Sequence, residues 1–149
     1  MRLLLDENVP KQLRQALDAF ILNHEITHLL ELPGWSGTRD ESLYARAAAE
    51  GFHVILTNDG RQMRREREVA AIRVSGLHRI EYPHRHAGLT GLSIAIATVA
   101  AGLPGALALL EEADGQRLIA LRGIDPTPSN RLHVVDPKIS PPKFWFSSL

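Results

Sequence analysis

The sequence predicts an α/β domain built on a mainly parallel sheet with helices on both faces. Three observations carry this expectation. Short apolar runs alternate with helix-length segments in the order β-α-β-α-β-α-β. The clearest runs, Leu3–Leu5 and Val54–Thr57, are apolar without the alternation of a half-exposed strand, as strands covered on both faces are. The length, 149 residues, is that of one domain. Cysteine is absent, which removes disulfides, thiolate-bound zinc and a thiol nucleophile. Hydrophobic residues at 44% and charged residues at 23% exclude wholesale disorder. Asp6 and Glu7 interrupt the opening apolar run at once, so no secretory signal is expected and the predicted location is cytoplasmic.

Each element has a local reason. Residues 2–5 are an apolar run stopped by Asp6-Glu7, hence a buried strand. Asn8 and Pro10 supply an N-cap and a first-turn proline, and Leu13, Ala16, Leu17 and Phe20 follow at helical spacing, giving an amphipathic helix over 9–20. Residues 25–30 make a weaker strand, and Pro33 to Gly37 is loop chemistry. Thr38-Arg39-Asp40-Glu41 fits a capping box, and Leu43, Ala47 and Ala48 continue a helix that Gly51 closes. Residues 52–57 form the clearest strand, turned by Asn58-Asp59-Gly60. A basic helix over 61–69 and a strand over 71–74, ended by Ser75-Gly76, complete the alternation. Crossovers between parallel strands are expected to be right-handed.

The stretch from Gly88 to Leu110 holds 23 residues without a charge, long enough to span a bilayer. Glycines and Pro104 interrupt it, so the favoured reading is soluble: a buried helix over 87–101, a turn at 102–104 and a short helix to Glu112. Residues 116–122 and 132–135 are expected as late strands, added antiparallel at the sheet edge. The domain is assigned residues 1–140. The remaining 141–149 form a Pro/aromatic tail, in which Phe144, Trp145 and Phe146 are expected to pack on the domain or on a partner.

The net charge of zero hides a segregation. Residues 1–60 carry five basic and nine acidic residues, whereas 61–86 carry seven arginines against three glutamates. That pattern suits a cation site beside a polyanion site, but on charge alone the solvated faces of helices are the favoured reading. In an open parallel sheet the carboxyl ends of the strands share one edge with the starts of the following helices. Asp6 and Asp59 end strands there and Asp40 opens the helix between them. Two carboxylates about 4 Å apart repel by roughly 4 kcal/mol at an effective dielectric near 20. Three together call for a divalent cation or a bound proton, and oxygen-only donors suit Mg²⁺ or Mn²⁺. Taken singly, Asp40 could be only a cap and Asp59 only a turn residue. Glu7 should point away from Asp6. Arg61, Arg64 and Arg65 would share one helix face beside this edge and could hold phosphates, or equally form a solvated face with Glu66 and Glu68 interleaved. His84-Arg85-His86 has metal-like spacing but no third ligand, and reads as a polar loop.

The run Leu3-Leu4-Leu5-Asp6-Glu7-Asn8-Val9-Pro10, with Asp40-Glu41-Ser42-Leu43 and Val54-Ile55-Leu56-Thr57-Asn58-Asp59, resembles PIN-like domains of the VapC toxin type, including the branch related to the Mut7 C-terminal domain. The resemblance covers residues 1 to about 76 and implies a three-layer sandwich. It also implies a metal-dependent ribonuclease, often the toxin of a toxin–antitoxin pair. On that footing Asp6, Asp40 and Asp59 would hold Mg²⁺ or Mn²⁺ and carry out catalysis, with RNA as substrate, an antitoxin protein as partner and a homodimer compatible. The branch often has another acid two residues after the T-x-D aspartate, where this chain has Arg61. A catalytically silent module that binds RNA or a partner is therefore a competing expectation. A receiver-like phospho-acceptor domain is a third, but its late-sheet lysine is missing: the only lysines are Lys11, Lys138 and Lys143.

Overall fold

The computed structural model describes residues 1–145 and contains one five-stranded, all-parallel sheet. The strands are β1 (Arg2–Leu5), β2 (Glu25–His28), β3 (Val54–Thr57), β4 (His78–Glu81) and β5 (Leu118–Ala120), in spatial order β2-β1-β3-β4-β5. The helices are α1 (Lys11–Asp18), α2 (Asp40–Ala49), α3 (Glu66–Ser75), α4 (Gly88–Glu111) and the short α5 (Pro128–Arg131). Strand order reverses at β1, so the carboxyl ends of β1 and β3 flank the crevice where α/β sheets hold ligands.

Strand side chains alternate between the two faces and so define three layers. Leu3, Leu5, Val54, Leu56 and Ile80 face one way and pack with Leu13 and Leu17 of α1 and with Val99, Leu103 and Leu107 of α4. Leu4 and Ile55 face the other way and pack with Leu43, Tyr44 and Ala47 of α2 and Ile72 of α3. Burying each leucine contributes roughly 1.5–3 kcal/mol, and both faces of β1 and β3 are used. That double burial is why these two strands read as unbroken apolar runs. His28, also buried, donates from Nε2 to the Val9 carbonyl at 2.7 Å and accepts from Leu30 N at Nδ1, tying the end of β2 to the entry of α1.

Several expectations need correction. The residues predicted as a strand over 71–74 form the last turns of α3, whose buried side chains, Glu68 and Ile72, recur at helical spacing while Val74 is exposed. Gly76, at φ 70°, ends that helix in the left-handed conformation. The fourth strand is instead His78–Glu81, where Arg79 and Glu81 take one face and Ile80 the other. The predicted helix over 61–69 is split into a 3₁₀ turn, Gly60–Arg64, and α3. No side chain caps α1 or α2: Pro10 and Arg39 occupy the N-cap positions in place of Asn8 and Thr38. Thr38 instead turns its hydroxyl back to the Trp35 carbonyl.

The uncharged segment is one continuous helix, with no turn at 102–104. Pro104 costs a helix interior about 3 kcal/mol. The burial of Leu103, Ala106, Leu107 and Leu110 against the sheet face offsets that cost. By length and composition α4 could cross a membrane, yet Ala95, Val99, Leu103 and Leu107 form a stripe spaced by four that covers the sheet. The strand within 116–122 pairs with β4 in parallel, not antiparallel, because α4 acts as a crossover. Residues 132–135 form no strand; Leu132 and Val134 are exposed. Phe144 and Trp145 are exposed rather than packed on the domain, and Phe146 lies outside the described residues.

Candidate active site

Asp6 lies just past β1 on the α2/α3 face of the sheet, 3% exposed. Its Oδ1 accepts from the Glu7 N–H at 2.7 Å and its Oδ2 from the Thr57 hydroxyl at 2.8 Å. Burial, aided by the charges of Asp59 and Glu7, raises its pKa above the ordinary value despite both hydrogen bonds. Asp40, the first residue of α2, is half-buried and makes no capping bond, so capping does not explain it. Its pKa is also raised, first by burial and then by the charges of Asp6, Glu68 and Asp59. Asp59 does cap: its Oδ1 accepts from Arg61 N at 3.0 Å and from Arg61 Nε at 3.1 Å, while its own N–H donates to Thr57 Oγ1. Glu7 turns away, accepting from Ser36 Oγ and the Gly37 N–H.

The fold thus sets the fields of Asp6, Asp40 and Asp59 on one another at the carboxyl edge of the sheet. It adds a fourth acid from the arginine-rich segment. Glu68 of α3 is 7% exposed, raises the pKa of Asp40, and has Oε2 buried without a partner. Only the true helix phase of residues 66–75 reveals it, since Glu68 and the buried Ile72 are four apart. Beneath the acids lies a buried cation: Arg79 of β4, 2% exposed, donates from Nη2 to the Asp59 carbonyl at 2.9 Å and from Nη1 to Glu81 at 2.5 Å. Tyr44 donates to Gln62 Oε1, and burial pushes its hydroxyl well above the ordinary range against the pull of Arg79.

The arginines diverge. The 3₁₀ turn places Arg61 and Arg64 one turn apart, and both line an open groove of about 960 Å³ beside Asp59. Arg65 does not join them. Its backbone is extended at the entry to α3, and its Nη1 holds Glu68 Oε1 at 2.7 Å, so the expected three-arginine face is really two. His84 lines the same groove and His86 a neighbouring hollow, as members of the loop after β4.

Among the described residues no three His, Asp or Glu side chains stand as a finished metal cage. The donor set is nevertheless one a hard divalent cation fits. It offers only oxygens, it buries two carboxyl groups whose pKa values rise first through that burial and then through neighbouring acids, and it leaves one buried carboxylate oxygen unpaired. Arg61 holds the one oxygen of Asp59 that also caps the turn. An oxygen-only edge next to a groove lined by exposed arginines has the donor chemistry for a hard cation and an anion side by side. A family model described as "PIN like domain" matches residues 1–81. No curated protein and no solved structure matches the chain.

Proposed function

Because this chain belongs to the PIN-like domain family, whose members are generally nucleases, we propose that it is a metal-dependent endoribonuclease and the toxin of a toxin–antitoxin pair. The observation that carries this reading is that acids from three separate segments, Asp6, Asp59 and Glu68, gather around Asp40 at one sheet edge, beside a groove lined by arginines. Asp6 and Asp40 would hold Mg²⁺ or Mn²⁺, with Asp59 and Glu68 completing the charge balance. The ion, when bound, supplies an activated water and stabilisation of charge on the phosphate. The chain's own residues do the rest. Thr57 fixes the rotamer of Asp6 and anchors the backbone of Asp59. Arg79 holds the Asp59 carbonyl from below, and Arg64 faces the groove where a phosphate would lie. The protein is proposed to act in the cytoplasm, off the membrane, as a monomer or homodimer restrained by an antitoxin.

The direct test is cleavage of RNA with Mn²⁺ by the wild type and by Asp6→Asn, Asp40→Asn and Asp59→Asn. Cleavage lost in the variants supports the reading, and normal turnover in all three rejects it. The grip of Arg61 on Asp59 favours a second reading, a silent module that binds RNA without cutting it. No wild-type turnover with Mn²⁺ or Mg²⁺, alongside intact RNA binding, selects that one.

A further inference from the structure

The groove beside Asp59 extends beyond the residues that match the family. One wall comes from the 3₁₀ turn after β3; the other comes from the loop after β4 and from residues 120–123 at the end of β5. Arg64, Arg85 and Arg122 line it, all exposed, and among the described residues none of the three forms an ion pair. The two acids in the groove are already engaged, Asp59 by Arg61 and Glu81 by Arg79. Three unspent guanidinium groups from three segments converging on one groove are a site for a polyanion, and their planar forks suit phosphate oxygens.

His84 adds a second kind of contact. Asn58 Nδ2 donates to the Asn8 carbonyl at 3.1 Å, which fixes the amide orientation. The His84 Nδ1 faces the same nitrogen at 3.3 Å, which ties the ring to the loop after β3. The ring stands 6.4 Å from Tyr82 at 31°, an exposed aromatic face on a buried aromatic support. An exposed flat ring in the same groove as the arginines suits an unpaired base, which a duplex does not offer.

We propose that this groove is the track of a single-stranded polynucleotide, with phosphates on Arg64, Arg85 and Arg122 and a base on His84, and that the strand reaches the acids from the β5 side. The occupant's identity rests on the nuclease reading above; the charge geometry does not. The test is fluorescence anisotropy of a labelled single strand of about 12 nucleotides on the full-length Asp6→Asn variant in EDTA, from about 50 to about 300 mM KCl. Three phosphate contacts predict a log–log salt slope near 2 in magnitude, about 0.7 per contact. Arg85→Gln with Arg122→Gln should bring it to about 0.7 and weaken binding roughly tenfold or more at low salt. His84→Ala should weaken binding without changing the slope. An RNA arm and a DNA arm of the same sequence separate the two carriers of the shared phosphate chemistry: equal affinity assigns the grip to the backbone, tighter RNA adds a contact to the 2′-hydroxyl. An unchanged slope in the double variant, a duplex bound as tightly as the single strand, or no strand binding at all overturns the track. Intact binding with no cleavage by the wild type in Mn²⁺ instead rejects the nuclease reading and leaves the track standing.

Discussion

The Thr57 hydroxyl donates to Asp6 Oδ2 at 2.8 Å and at the same time accepts from the Asp59 N–H at 3.0 Å. One buried hydroxyl therefore sets the rotamer of the acid after β1 and the backbone of the acid after β3. Thr57→Val keeps the shape and removes both bonds. A buried carboxylate oxygen and a backbone N–H are left unpaired, at about 1–3 kcal/mol. The expected result is a lower urea midpoint together with weaker Mn²⁺ binding by calorimetry, both recovered in Thr57→Ser. Valine with wild-type metal affinity would mean that Asp6 needs no such support.

The raised pKa of Asp6 and Asp40 makes a signed prediction about stability. A carboxyl that holds its proton more tightly when folded binds more protons in the native state than in the unfolded one. Stability then falls as pH rises from the ordinary value, 3.8, through the raised folded values. In EDTA, melting temperatures should decline across that window, and Asp6→Asn should flatten the decline. Mn²⁺ should restore the loss at neutral pH. A melting temperature that rises across the same window in EDTA would contradict the burial of these acids.

Legibility in the sequence followed how many faces of an element are apolar. β1 and β3, covered on both sides, declared themselves, and with them Asp6 and Asp59 at their ends. β4 did not, because Arg79 and Glu81 make its site-facing side polar and only Ile80 faces the α1/α4 core. The strand signal lies instead at Ala71-Ile72-Arg73-Val74, where β-branched residues sit in a helix whose buried face is set by Glu68 and Ile72. That shift of phase hid Glu68 and put Arg65 on the wrong face. Arg85 and Arg122 carry no local signal at all. Only the sheet order β3-β4-β5 brings their loops to Asp59.

In the proposed metal site, a cation near Asp59 would have to compete with Arg61. Its Nε holds Oδ1 at 3.1 Å from a side chain that is 76% exposed, so the contact is free to open. Arg61→Ala should raise Mn²⁺ affinity, and Arg61→Asp, which places a further carboxylate beside Asp59, should raise it further. A tenfold gain corresponds to about 1.4 kcal/mol. Calorimetry on the three proteins gives the order directly. An Arg61→Ala protein that binds Mn²⁺ more weakly would show that the arginine organises Asp59 rather than blocking it.

Arg64 and Arg65 are neighbours with opposite expected phenotypes. Arg65 holds the buried Glu68, and this pairing keeps its own guanidinium firmly protonated, whereas Arg64 lines the groove without an ion pair among the described residues. Arg65→Ala should lower the melting temperature and leave the salt slope of RNA binding unchanged. Arg64→Ala should do the reverse, lowering the slope by about 0.7. Identical behaviour of the two variants would return both to a single face.

Gly91, one turn into α4, is a glycine for contact rather than for conformation. A Cβ there would run into the carbonyl of His86, so the loop carrying His84 and Arg85 can close onto the helix only if residue 91 has no side chain. Helix propensity alone argues the other way, since alanine is better than glycine in a helix by roughly 0.5–1 kcal/mol. Gly105, in the same helix, has nothing within 4 Å of such a Cβ and isolates that term. Gly105→Ala should therefore stabilise the protein by about 0.5–1 kcal/mol. Gly91→Ala should destabilise it and, by displacing the 82–87 loop, weaken single-strand binding as well. Chemical denaturation of the two variants side by side separates the effects. A Gly91→Ala protein as stable as Gly105→Ala would mean that the loop does not rest on α4 in solution, and the position of Arg85 in the groove would lose its structural support.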